Sequence, residues 1–149
     1  MSVFTIIISM TNNIRLVIDK LTIHPKKLFL IDSLGAFLTA FFLAGILARF
    51  EHIFGMPQTV LYCLSIVAVI YAAYSLRCYF FILKIWRPYL LVIAAANTMY
   101  CFVTIGVVYY NYHLLTSLGL IYFILELLVM SSLIFIELKV VSNNFDSKS

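Results

Sequence analysis

Residues 114–138 read LLTSLGLIYFILELLVMSSLIFIEL, a continuous apolar run in which Glu126 and Glu137 are the only charged side chains. The hydrocarbon core of a bilayer is about 30 Å thick, and a helix needs about 20 apolar residues to cross it. Runs of comparable length cover about 28–48, 59–82 and 88–110. The sequence therefore predicts four transmembrane helices.

The overall composition supports the same interpretation. Apolar residues make up 64% of the 149 residues and charged residues 11%. Soluble domains contain about 45–50% apolar and about 25% charged residues. Since one small core could not hide this apolar surplus from water, the composition argues against a disordered chain and against an ordinary soluble enzyme.

The links between the four runs are short, which predicts that sequence neighbours pack antiparallel to each other. We expect an all-α polytopic membrane protein with a four-helix antiparallel transmembrane bundle over residues 28–141. Residues 1–27 are predicted as a cytoplasmic or interfacial segment, in which an amphipathic helix over 11–24 lies on the membrane. Residues 142–149 are predicted as a cytoplasmic tail.

Positive charges are distributed unequally between the two ends of the predicted helices. One side would carry nine cationic side chains and the other only Arg49. The nine are Arg15, Lys20, Lys26, Lys27, Arg77, Lys84, Arg87, Lys139 and Lys148. Because cytoplasmic segments are enriched in Lys and Arg, we expect a multi-pass protein of the bacterial cytoplasmic membrane with both termini in the cytoplasm. This orientation explains the net charge of +4 without nucleic acid as a partner.

Two polar residues lie near the middle of the predicted helices, Glu126 in the fourth and Asn97 in the third. A charged group at mid-bilayer costs on the order of 3 kcal/mol, so this carboxyl group is expected to face the bundle, either paired or protonated. We predict a hydrogen bond between Asn97 and Glu126, with Tyr100 or Tyr122 taking part. The alternative is two separate helix–helix hydrogen bonds, and the role of Glu126 as a proton or cation site stays open beside a purely structural role.

A second polar group is expected nearer the cytoplasmic side. Asp32 lies about a turn inside the first helix, and Arg77 and Glu137 lie at comparable depth in the second and fourth. We predict an Asp32–Arg77–Glu137 ion cluster. The alternative is that these side chains reach the lipid headgroups separately.

The second predicted helix also carries a stripe of small side chains. Its members are Ser65, Ala68, Ala72 and Ser75. Small residues allow two helix backbones to approach closely, so the stripe predicts a packing surface, either within the chain or between copies.

No motif assigns a catalytic residue, a metal or a cofactor. The three cysteines lie within apolar runs without a C-x-x-C pair and are predicted to be buried, inert thiols: Cys63, Cys78 and Cys101. Nucleotide-binding, zinc-protease and hydrolase motifs do not occur. Glu51, His52 and His113 can be considered as an outward metal or haem site, but solvated loop residues are the favoured interpretation.

A family resemblance is carried by five segments: LFLIDSLGAFLTAFFL (28–43), ARFEHIFGMP (48–57), AAANTMYC (94–101), GLIYFILELL (119–128) and IELK (136–139). With these segments the chain resembles small four-span membrane proteins of bacteria, particularly of the Bacteroidetes type. The resemblance covers roughly residues 28–141 and implies the four-helix fold. It brings no activity, so it implies no catalytic residue.

Three functional hypotheses follow. The favoured one is a non-enzymatic accessory or structural component of the membrane, with lipid around it and a second copy or another membrane protein as its partner. The second is a small proton-coupled transporter or channel that uses Glu126. The third is a membrane enzyme acting on lipid or quinone in a cleft lined by four tyrosines, Tyr71, Tyr74, Tyr100 and Tyr122.

Overall fold

The computed structural model describes residues 24–81 and 85–146, together with Asn13 and Leu16. We number its α-helices in chain order: α1 (Pro25–Phe41), α2 (Glu51–Phe54), α3 (Gln58–Phe81), α4 (Arg87–Tyr110) and α5 (Ser117–Asp146). A π-helical turn, Phe42–Leu47, continues α1. No β-strand occurs in the described part of the chain, and the prediction of an all-α fold is confirmed.

Two predicted boundary segments lie largely or partly outside the described residues. Of the predicted interfacial helix over 11–24, the structure describes only Asn13, Leu16 and His24. At the other terminus, α5 continues to Asp146 and so extends into the segment predicted as a tail.

Four helical segments are long and apolar enough to cross a membrane. They are Lys26–Leu47, Gln58–Phe81, Arg87–Tyr110 and Ser117–Ser142. Large apolar side chains are exposed along all four, as Phe102 (70%) and Val129 (67%) illustrate. Because such a surface fits hydrocarbon and not water, the four helices indicate a multi-pass membrane protein.

The four long helices form a closed ring. Each packs against its neighbour in sequence, and α5 also contacts α1. The interface between α1 and α3 is the most extensive, and that between α1 and α5 is the smallest of these four. This arrangement is the predicted up-down-up-down bundle, in which α1 and α4 stand diagonally opposite each other.

The α1–α3 interface explains the small-residue stripe of the second membrane helix. All four residues of that stripe are buried, so the packing surface lies within the chain. Three serine hydroxyl groups donate to backbone carbonyls of the facing helix: Ser33 to Ala72 (3.0 Å), Ser65 to Ala40 (3.2 Å) and Ser75 to Phe29 (3.0 Å). Each interhelical bond of this kind contributes on average about 0.6 kcal/mol to a membrane bundle.

A second close contact joins the loop after α1 to the start of α5. The Thr116 hydroxyl donates to the Ile53 carbonyl (2.6 Å) and accepts from the Gly119 N–H (3.2 Å), so Thr116 caps α5 while it holds the loop. The Thr116 N–H donates to the Phe54 carbonyl (3.2 Å). A Cβ atom on Gly119 would collide with that same carbonyl oxygen. Gly55 ends α2 with φ +76°, a conformation that favours glycine.

This packing predicts that Gly119→Ala lowers the free energy of unfolding by about 1–3 kcal/mol, the usual cost of overpacking a close contact. The Phe54 carbonyl would have to shift, which would strain its bond with Thr116. The measurement is thermal unfolding of the purified protein in detergent.

Gly106→Ala is the matched control, because a Cβ atom there meets nothing within 4 Å. Its unfolding temperature should stay the same or rise slightly, since alanine is the better helix former. Equal unfolding temperatures for the two variants would contradict the close approach between the loop and α5.

Candidate functional site

Three carboxyl groups are buried inside the membrane-spanning helices. The residue exposures are 2% for Asp32, 8% for Glu126 and 0% for Glu137. Asn97 donates to Asp32 and lies 3.5 Å from Glu137, and Tyr100 donates to Glu126. Acidic groups within a bilayer are costly and mark functional sites more often than surface acids do.

Asp32, Asn97 and Glu137 form what we call the central cluster. The Asn97 Nδ2 donates to Asp32 Oδ1 at 2.7 Å and lies 3.5 Å from Glu137 Oε1. One amide from α4 therefore contacts both its sequence neighbour α5 and the diagonally opposite α1. The cluster lies between one and two turns inside the bundle, since Asp32 follows Lys26 by six residues and Glu137 precedes Ser142 by five.

The two acids of the central cluster also lie within hydrogen-bonding reach of each other, with Ser75 beside Asp32. Glu137 Oε2 has no hydrogen-bond donor among the described residues. Two carboxyl groups this close in a medium of low dielectric constant require a proton or a cation between them.

Glu126 lies in a separate contact between α4 and α5. The Tyr100 hydroxyl donates to Glu126 Oε1 at 3.0 Å, while Glu126 Oε2 has no partner within the described ranges. The Tyr100 ring packs edge-on against Tyr71, with ring centroids 6.4 Å apart. The polar interior therefore consists of two hydrogen-bonded groups at different depths.

The predicted Asn97–Glu126 hydrogen bond is wrong. Asn97 bonds to the central cluster, and Tyr100 takes the place predicted for Asn97. Measured from the ends that meet at the loop between α4 and α5, Tyr100 lies ten residues before Tyr110 and Glu126 nine residues after Ser117. Asn97 lies almost one turn deeper, so its side chain reaches different partners.

Of the predicted ion cluster, the structure brings Asp32 and Glu137 together through Asn97 and leaves Arg77 outside. The Arg77 side chain is exposed, and its guanidinium carbon lies 5.9 Å from the centre of the Phe81 ring. Two residues along a helix correspond to a rotation of about 200°, so Arg77 faces away from the bundle when Ser75 faces inward. The position predicted for its charge is occupied by the neutral amide of Asn97.

The other residues that the sequence suggested for a site do not come together as one site in the structure. All three cysteines are free thiols, but only Cys78 is buried, while Cys101 is half-buried and Cys63 is exposed. No group of three His, Cys, Asp or Glu side chains within the described ranges is arranged to hold a metal ion. Of the four tyrosines predicted to line a cleft, Tyr71 and Tyr100 line one small cavity, Tyr122 lines a different groove and Tyr74 is exposed.

Two cavities adjoin these carboxyl groups. The interior cavity beside Asn97 and Tyr100 has a volume of about 10 Å³, room for about one water molecule. A groove of about 330 Å³ runs between α1 and α5 on the outside of the bundle, and Glu126 forms part of its wall. The cavity beside Asn97 and Tyr100 thus has room for little more than water, while the groove is open on the outer face of the bundle.

Comparison with protein-family models, with curated proteins and with solved structures finds no match for this chain. The resemblance to small four-span bacterial membrane proteins therefore stays a prediction.

The central cluster predicts a strong effect of Asn97→Ala on stability. The substitution removes the shared donor from two buried acids and should lower the free energy of unfolding by about 1–3 kcal/mol. Thr98→Ala is the control, because the Thr98 hydroxyl bonds only within its own helix, to the Ala94 carbonyl at 2.7 Å. Thermal unfolding in detergent measures both, and equal losses would show that the cluster does not hold the helices together.

Proposed function

We propose that this chain is a non-enzymatic accessory component of the bacterial cytoplasmic membrane that works by lateral binding within the bilayer. The packed interior carries this proposal. The interior cavity of about 10 Å³ is far below the size of a substrate site, which usually measures about 300–1,000 Å³. The interior polar groups bond to one another across helices and so serve to hold the bundle in one arrangement.

The outer surface offers the features that lateral binding requires. Besides the groove between α1 and α5, an apolar groove of about 360 Å³ lies between α1 and α3. Both grooves are bordered by α1 and face the lipid. A rigid bundle with concave apolar sides suits an accessory protein that contacts a lipid-soluble molecule, another membrane protein or a second copy.

The distribution of charge supports the proposed orientation. Cationic side chains of the described residues concentrate at one end of the bundle: Lys26, Lys27, Arg77, Arg87 and Lys139. Arg49 lies at the other end. This asymmetry favours a cytoplasmic location for the cation-rich end and hence for both ends of the chain.

Thiol labelling tests the proposed orientation. In a chain without native cysteines, His52→Cys should react with a membrane-impermeant maleimide in intact spheroplasts. Ser142→Cys should react only after the membrane is permeabilised. Both positions are exposed in the folded chain, so a lack of reaction reports on the membrane side and not on burial. The reverse pattern would contradict the orientation.

A second candidate function, a proton-coupled carrier, is favoured by one specific observation. Glu126 lies near mid-depth in its helix, and one of its carboxyl oxygens has no partner among the described residues. A carboxyl group that is free to gain and lose a proton within the bilayer is the central element of such carriers.

Proteoliposomes distinguish the two candidates. With a pH gradient and a pH-sensitive dye enclosed in the vesicles, we expect no proton flux above that of protein-free vesicles. The carrier candidate instead requires a flux that Glu126→Gln abolishes without changing the unfolding temperature. Glu51→Gln makes the same chemical change in the loop and serves as the matched control. A flux sensitive to Glu126 alone would overturn the accessory proposal.

A further inference from the structure

The α1–α5 groove combines an apolar wall with one polar group. We define it by Gly35, Thr39 and Phe42 on the side of α1 and by Tyr122, Glu126 and Val129 on α5. It lies at the smallest of the four helix–helix interfaces of the ring. The volume of about 330 Å³ falls within the range of small-molecule sites.

Glu126 makes this groove suited to a ligand that carries a hydrogen-bond donor. Its residue exposure is 8%, and Tyr100 bonds to only one of its two carboxyl oxygens. The other oxygen, Oε2, is buried without a partner in the described part of the chain. A buried polar atom in this state costs about 1–3 kcal/mol, which a ligand with a hydrogen-bond donor would recover.

The depth of Glu126 restricts the kind of ligand. It follows Ser117 by nine residues, which places it about 14 Å along the helix and so near the centre of a bilayer core of about 30 Å. A phospholipid headgroup stays at the interface, and an acyl chain carries no donor. The ligand must therefore dissolve in hydrocarbon as a whole and still carry a donor among its apolar groups.

Aromatic rings add a second preference. The rings of Phe42 and Tyr122 lie on opposite walls of the groove with their centroids 6.5 Å apart. Aromatic faces attract organic cations, most strongly where water is excluded. A carboxyl group in the same groove pairs with a nitrogen base through charge as well as through a hydrogen bond, which favours a base over an alcohol or an amide.

We propose that the α1–α5 groove binds a lipophilic amine whose nitrogen pairs with Glu126 and whose apolar body fills the space over Gly35. A neutral amine enters from the bilayer and takes the proton of the Glu126 carboxyl group, leaving an ammonium–carboxylate pair. The proton moves from oxygen to nitrogen, so the complex gains no net charge. The inference names a ligand class for lateral binding and rests on the function proposed above.

The test uses tritiated 1-adamantylamine and the full chain in nanodiscs. We expect saturable binding that unlabelled amine displaces and that adamantane, the same cage without nitrogen, does not. Glu126→Gln should weaken binding at least about tenfold, which corresponds to about 1.4 kcal/mol. Glu51→Gln, the matched control in the loop, should bind like the unmodified protein.

A second pair of variants tests the location. Gly35→Leu should abolish binding, because a Cβ atom at Gly35 meets nothing within 4 Å and the added side chain extends into the groove. Gly106→Leu adds the same side chain at another open position, on α4, and should leave binding unchanged. Thermal unfolding of all four variants confirms that they remain folded.

Three results would overturn the proposal. They are non-saturable uptake by the unmodified protein, full binding by folded Glu126→Gln, and equal displacement by adamantane. A disulfide-linked dimer of a Val129→Cys variant that forms in spite of saturating amine would also overturn it and make a second copy the occupant. Each of these results concerns the ligand alone, whereas the flux assay decides the accessory proposal separately.

Discussion

The single amide of Asn97 is the contact on which the interior of this bundle depends. Asp32 and Glu137 come from α1 and α5, and both are buried inside the bundle. By donating to one acid and lying within 3.5 Å of the other, Asn97 makes a costly burial tolerable and connects the bundle across its diagonal. The serine bonds join α1 and α3 independently of this contact.

Site and function follow from the way in which the polar groups are divided. Asp32, Asn97 and Glu137 contact one another inside the bundle, although Glu137 Oε2 has no donor among the described residues. Glu126 is bonded through one oxygen only and lies beside an open groove, so it remains available for chemistry with an outside molecule. The cavity inside the bundle has room for little more than water, whereas Glu126 lies beside a groove on the outer face. This arrangement favours binding of a molecule from the bilayer over its passage through the bundle.

The fold could be predicted from the sequence because four apolar runs long enough to cross a bilayer are compatible with few structures other than a bundle of membrane helices. The hydrogen-bond partners of the polar residues were harder to predict from the sequence. Asn97 and Tyr100 share one face of α4, and a depth difference of about 4.5 Å decides which of them meets Glu126. The depth of Glu126 itself depends on where α5 begins, at Ser117 and not at the predicted 114. The outward orientation of Arg77 could have been predicted from its spacing to Ser75, because two residues along a helix correspond to more than half a turn.

The extensive α1–α3 interface has a consequence for biogenesis. Its three serine bonds end on backbone carbonyls of consecutive membrane segments, so they need no residue from α4 or α5. The hairpin of α1 and α3 can therefore form these bonds in the membrane before α4 and α5 have been synthesised. Asp32, in contrast, needs the amide of Asn97 from α4, so its hydrogen bond forms only when the second half of the bundle is present.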